Sequence, residues 1–275
     1  MTTAQKIIKY LALGIAACVV VAIATGLTFG LYALGSVTGL VKNDDYVMEN
    51  AEVISGETKT ISQLVVQLDA TSLEIKTGDE FKVETDRSDV TFENKDGVAT
   101  VKESGDYWRF FNHLKGKTIV YLPKDIQLES VLIKNGVGSA NIEKLVTKKL
   151  TLELGAGAVK LSEVNVTEYA DIDGGVGKIE ILAGTINNLD LDLGVGSTNV
   201  KAAITGNSEI DAGVGGLNVT LVGAREDYRI KVNKGLGGIT VDGQDAHDGQ
   251  EIGDGANSIR ISGGIGGIKV GFENK

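Results

Sequence analysis

Acidic side chains recur at fixed steps along this chain. Glu153, Asp173, Asp192 and Asp211 each stand two residues before the first glycine of a Gly-X-Gly triplet, and Asp171, Asp190 and Glu209 stand four before one. Carboxylates grouped this way can supply oxygen ligands to a divalent cation such as Ca²⁺, or attract a cationic partner such as a basic peptide. They can equally form a hydrated acidic face that keeps a β-rich protein soluble. A second group, Tyr107, Trp108, Phe110 and Phe111 around Arg109, packs four aromatic residues into five positions. As a loop it could touch membrane, glycan or protein, or fold over an open end of the core as a cap.

Conventional catalytic chemistry has few residues to work with. The 275 residues contain one Cys, Cys18, and two His, His113 and His247, which excludes a disulfide scaffold, multi-thiolate zinc and histidine-rich centres. Gly-X-Ser-X-Gly is absent, so no catalytic residue and no cofactor is assigned. A Ca²⁺-dependent polysaccharide enzyme remains a reading by fold analogy alone. The formal charge of −10 argues against nucleic acid, whose binding requires a basic surface. Asn165-Val166-Thr167 and Asn218-Val219-Thr220 match the short glycosylation sequon.

The elements that must position these groups follow from a repeat. Triplets begin at Gly136, Gly155, Gly175, Gly194, Gly213, Gly235 and Gly264, with second glycines Gly138, Gly157, Gly177, Gly196, Gly215, Gly237 and Gly266, and successive steps of 19, 20, 19, 19, 22 and 29 residues. Three residues before each first glycine stand Ile133, Leu152, Ile172, Leu191, Ile210, Val232 and Ile261; six after it stand Ile142, Leu161, Ile181, Val200, Val219, Val241 and Val270. Both columns are aliphatic with polar neighbours, the alternation of a half-buried strand. Each unit therefore reads strand, glycine turn, strand, polar return. Single units cannot bury an apolar face, whereas stacked copies can. The expectation is an all-β, right-handed parallel β-helix or β-solenoid of about 19–20 residues per turn, its hand set by the crossover rule.

Glycine suits its corners, and the single proline, Pro123, is consistent with ladders that use every N–H. Residues 60–102 read as earlier, less regular turns, and Asp242 to Ser258 as a solvated loop that lengthens the last step. The triplets do not fit a calcium β-roll, because Ile179 stands where that repeat needs Asp. Nor do they fit a dinucleotide fingerprint, which requires a following helix.

From Tyr10 to Val41 the chain has no charged residue or histidine, more than the roughly 20 apolar residues that span a bilayer. A transmembrane helix is expected there. The rival is a cleaved signal peptide using Ala33-Leu34-Gly35, but the apolar run exceeds a signal's length. Ile15-Ala16-Ala17-Cys18 imitates a lipoprotein box, yet apolar residues continue beyond the cysteine. Lys6 and Lys9 precede the segment and Asp44, Asp45 and Glu49 follow it, placing the N-terminus in the cytoplasm and the remainder outside. Without Lys6, Lys9 and Lys42, 24 basic residues face 37 acidic ones, a net −13 outside. The expected organisation is a cytoplasmic tail over 1–9, a membrane helix over 10–41, a linker over 42–58 and a β-helix domain over 59–275.

Thr118-Ile119-Val120-Tyr121-Leu122-Pro123, the strand Leu128 to Ile133, the Gly-X-Gly series and the terminal Ile265-Gly266-Gly267-Ile268-Lys269-Val270 together resemble the bacterial β-strand-repeat "putative adhesin" family, the domain of unknown function DUF4097. The resemblance covers roughly residues 50–275. It implies a right-handed β-helix, often tethered to the membrane of the cell envelope, with some members tied to envelope stress. It implies no catalytic residues. The functional expectation is a non-enzymatic adhesion or interaction surface toward an envelope protein, peptide or glycan, with a stress component binding cationic peptides as the alternative.

Overall fold

The computed structural model describes residues 48, 50–55, 61–104 and 116–274. The expected membrane helix at 10–41 and the aromatic group Tyr107, Trp108, Phe110 and Phe111 lie outside the described residues. Among the described residues no helix is long and apolar enough to cross a membrane.

The described chain is all β, a 21-stranded solenoid-like sheet whose only helical element is a three-residue 3-10 turn at Arg225–Asp227. Its middle is a parallel stack. Val176 pairs with Ala156 on one side and Val195 on the other, and Val195 pairs in turn with Val214. Like positions of the repeat therefore become neighbours about 4.8 Å apart. The run Ala140–Asp173 is extended over 34 residues, and its two halves lie in different turns. Both aliphatic columns point inward, with Leu152, Ile172, Leu191, Ile210, Ile181 and Val200 all no more than 2% exposed. Fully burying each such side chain contributes on the order of 1.5–3 kcal/mol.

The corners explain the glycine. A Cβ on Gly196 would lie 1.7 Å from the carbonyl oxygen of Gly177, and one on Gly215 1.7 Å from that of Gly196. Real Cβ atoms cannot approach that closely, and the φ angles there, +148° and +137°, are ones that L side chains rarely adopt.

Both ends depart from simple sequential stacking. At the far end, Asn257–Ser262 pairs with Asn207–Asp211 on one side and with Tyr228–Asn233 on the other. Ile268–Glu273 likewise lies between Val214–Val222 and Ile239–Val241. The Gly264 turn is thus inserted between the Gly213 and Gly235 turns. At the near end, Gln63–Leu68 lies between Val98–Glu103 and Leu128–Val137, and Ser72–Gly78 between Lys117–Pro123 and Ala140 onward. In each case the strands named have ladder partners on both sides, whereas the short strand Glu52–Val53 pairs only with Lys82–Thr85.

The outermost turns are then closed by antiparallel strands. Lys82–Thr85 pairs with Lys117–Pro123, and Val90–Lys95 with Val98–Glu103. Residues 82–95 therefore do not continue the ladder as the sequence pattern suggests; they cover its edge. Asp242 to Ser258 is likewise more than a solvated loop. Gln244–Asp245 and Glu251–Ile252 pair antiparallel with the last turn, and Ala246 is 2% exposed beneath them.

Candidate functional site

Outward-facing residues of the strand before each glycine corner form straight rows. Asp171, Asp190 and Glu209 are neighbours in one row, followed by Arg260 and then Lys231. Asp173, Asp192 and Asp211 are neighbours in the next, with Lys134 and Glu153 paired at its near end and Ser262 beyond. The seven carboxylates thus form one block. Arg260 stands beside Glu209 only because the Gly264 turn is inserted out of order, a placement that linear spacing does not show.

Neutralisation stops at the block's two ends. Lys134 Nζ lies 2.7 Å from Glu153, and Arg260 Nε 3.5 Å from Glu209. Among the described residues no ion pair reaches Asp171, Asp173, Asp190, Asp192 or Asp211. Burial, then Asp173 and Asp190, hold the Asp171 carboxyl above the ordinary aspartate value; burial, then Asp211 and Asp190, do the same for Asp192. Tyr169 donates a 3.2 Å hydrogen bond to Asp190 Oδ2, and burial together with Asp190 and Asp171 pushes its phenol up to about 12. One oxygen of Asp211 is buried without a hydrogen-bond partner, a further cost borne by this face.

A groove of about 340 Å³ opens where the acidic block meets the basic end, lined among others by Tyr169, Asp190, Glu209, Lys231 and Arg260. The rows spread their carboxylates along a line rather than around a point. Among the described residues no three His, Cys, Asp or Glu side chains gather to hold a metal ion. His247 is exposed, and its backbone N–H donates to the side chain of Gln250.

The corner carries a second row, one that the sequence pattern does not single out. The middle residues of the triplets are in register: Val176, Val195, Val214, Ile265 and Leu236 follow one another up the stack. Val195, Val214, Ile265 and Leu236 are 50%, 45%, 55% and 76% exposed. The signal for it is the apolar middle residue in every triplet, masked by the stronger pattern of the glycines on either side. Those glycines, Gly136 to Gly266, occupy the corner on both flanks of the ridge. Where a Cβ is added to them, it meets main chain of the adjacent turn in nearly every case.

The family described as Toastrack DUF4097 matches residues 49–262 of this chain. Similar solved structures include a putative cell adhesion protein from Clostridium sporogenes, 17% identical, covering 82% of this chain and 99% of that one with a TM-score of 0.33. A putative adhesin from Parabacteroides merdae is 16% identical over 80% of this chain and 95% of its own, TM-score 0.42. A putative lipid binding protein from Parabacteroides distasonis is 15% identical over 80% and 96%, TM-score 0.41. No curated protein matches the chain.

Proposed function

The chain belongs to the Toastrack DUF4097 family, and from that footing we propose that it is a non-enzymatic interaction protein of a bacterial cell envelope. In this reading residues 10–41 anchor it as a single membrane helix with the N-terminus in the cytoplasm. A right-handed stack then presents its faces outside the cell. The apolar, uncharged run at 10–41 and the lysines before it support the anchor.

The observation that carries the functional reading is the acidic block. Like charges in adjacent strands are destabilising, and elsewhere the fold places lysines against its carboxylates. Glu74, for example, is half-buried, which opposes its charge, yet bonds to Lys117 and Lys76 hold its carboxyl below the ordinary glutamate value. Asp171, Asp173, Asp190, Asp192 and Asp211 receive no such cation among the described residues. A row that opposes stability on a rigid scaffold is explained by the partner that relieves it, and a cationic peptide or protein segment supplies charges over an extended line. Carboxylates spread along a line, rather than converging with a base on one reacting atom, support a binding role over catalysis.

The test uses the full chain in liposomes and a lysine-rich peptide as probe, with retention measured across a sodium chloride series. Binding that weakens steadily with salt is expected. Absent or salt-independent binding would contradict the proposal.

A further inference from the structure

The apolar ridge runs beside a furrow. In the Gly213, Gly264 and Gly235 turns the residue after the second triplet glycine is again glycine: Gly216, Gly267 and Gly238. A Cβ on any of them would meet nothing within 4 Å, and none has a left-handed φ. Neither packing nor backbone conformation demands glycine at these three places. The equivalent positions in earlier turns carry Ala158, Lys178 and Ser197. The bare furrow therefore lies alongside Val214 and the two most exposed residues of the ridge, Ile265 and Leu236. Exposed aliphatic residues in a continuous row mark a contact surface.

We infer that two copies of this chain pair side by side, the ridge of each lying in the furrow of the other. A second copy is the partner that carries the same rung spacing of about 4.8 Å, and adjacent ridge and furrow are mutually complementary under one operation. That operation is a two-fold axis parallel to the stack. An axis across the stack would set ridge on ridge and furrow on furrow. The parallel axis also moves the acidic rows to opposite flanks of the pair, because they lie on the ridge's other side from the furrow, so the like charges are kept apart.

Both N-terminal segments then point the same way, as copies sharing one membrane require. Three to five aliphatic rungs bury less than the roughly 800 Å² per partner of a stable soluble complex. The contact thus depends on the effective concentration that a common membrane provides. To that extent it rests on the anchored reading above, though not on the cationic partner.

The experiment is register-specific disulfide trapping of the full chain in liposomes, in a Cys18→Ser background with a copper-phenanthroline oxidant. One population carries Leu236→Cys and the other Gly238→Cys; a second pair carries Ile265→Cys and Gly267→Cys. Each matched pair is expected to cross-link at least tenfold more than Leu236→Cys with Gly216→Cys, which lie two rungs apart. Adding Gly216→Lys and Gly238→Lys, which copy the lysine already tolerated at Lys178, should leave the melting temperature unchanged and cut the Ile265–Gly267 cross-link at least tenfold.

Equal yields for matched and mismatched pairs, no cross-link, or a dominant Leu236→Cys to Val176→Cys product would overturn the pairing. Vesicle flotation reports anchoring separately. If the chain does not float, the matched pairs must still form at the highest soluble concentration, and their absence there also overturns it.

Discussion

The glycine corner and the acidic face occupy the same turns, a few residues apart, yet they exist for opposite reasons. At the corner, packing forces the residue type: Gly215 has a carbonyl where its Cβ would be. On the acidic face, packing asks only for an outward side chain, and the chain supplies stacked carboxylates, of which Asp171 and Asp192 are held above the ordinary aspartate value by burial and then by their acidic neighbours. A row that is forced reports on folding. A row that stands against its own electrostatics reports on something outside the fold, and the ridge with its unforced glycines belongs with that second kind.

The largest effect should come from the forced row. Gly215→Ala places a methyl against the main chain of Gly196 in a backbone conformation hostile to alanine. It should cost on the order of 4–5 kcal/mol or more, seen as loss of the cooperative thermal transition. Leu191→Ala, in the fully buried column, should cost about 3 kcal/mol by chemical denaturation. A cost for Gly215→Ala no greater than that of an ordinary surface change would erase the distinction between the two rows.

The acidic face should respond in the other direction. Because the folded carboxyls of Asp171 and Asp192 titrate above their ordinary value, their contribution to stability is full below the ordinary aspartate range and is lost as pH rises through the raised values. Glu74 and Glu84, held low in the fold with lysine partners, contribute at neutral pH and lose that contribution on acidification. Asp171→Asn with Asp192→Asn should therefore raise the neutral-pH melting temperature by about 2 °C, a few tenths of a kcal/mol per site after solvent screening. The double variant should also gain less stability than the parent between neutral pH and the aspartate range. Calorimetry across that range reads both.

The smallest effect sharpens the contrast most. Gly216→Ala, one residue from the most sensitive position, should change stability by less than about 0.5 kcal/mol, because the space beside it is open.

Much of this was legible in the sequence, and the residues show why. Ile172, Leu191 and Ile210 announce the ladder because period and alternation are local properties that parallel stacking preserves. The order of turns at the ends was not legible. Ile261 pairs with Ile210 and Val232, and nothing in a repeat's spacing distinguishes a turn added at the end from one inserted before it. That topology in turn decides the acidic block's far boundary, since it brings Arg260 to Glu209. The capping role of Asp242 to Ser258 was hidden for a related reason: two-residue antiparallel pairings leave no periodic trace. The ridge was visible as seven apolar middle residues, but only exposure reveals that Val195 and Leu236 face solvent rather than core.

The most direct measurement of the central claim puts stability and binding on one variant. Asp171, Asp173, Asp190, Asp192 and Asp211 are changed together to Asn in the full chain, and its thermal transition and its retention of a lysine-rich peptide in low salt are measured side by side. The account predicts a melting temperature at or above the parent's and at least a tenfold loss of peptide binding. A variant that binds the peptide as the parent does, or that is less stable than the parent, would contradict it.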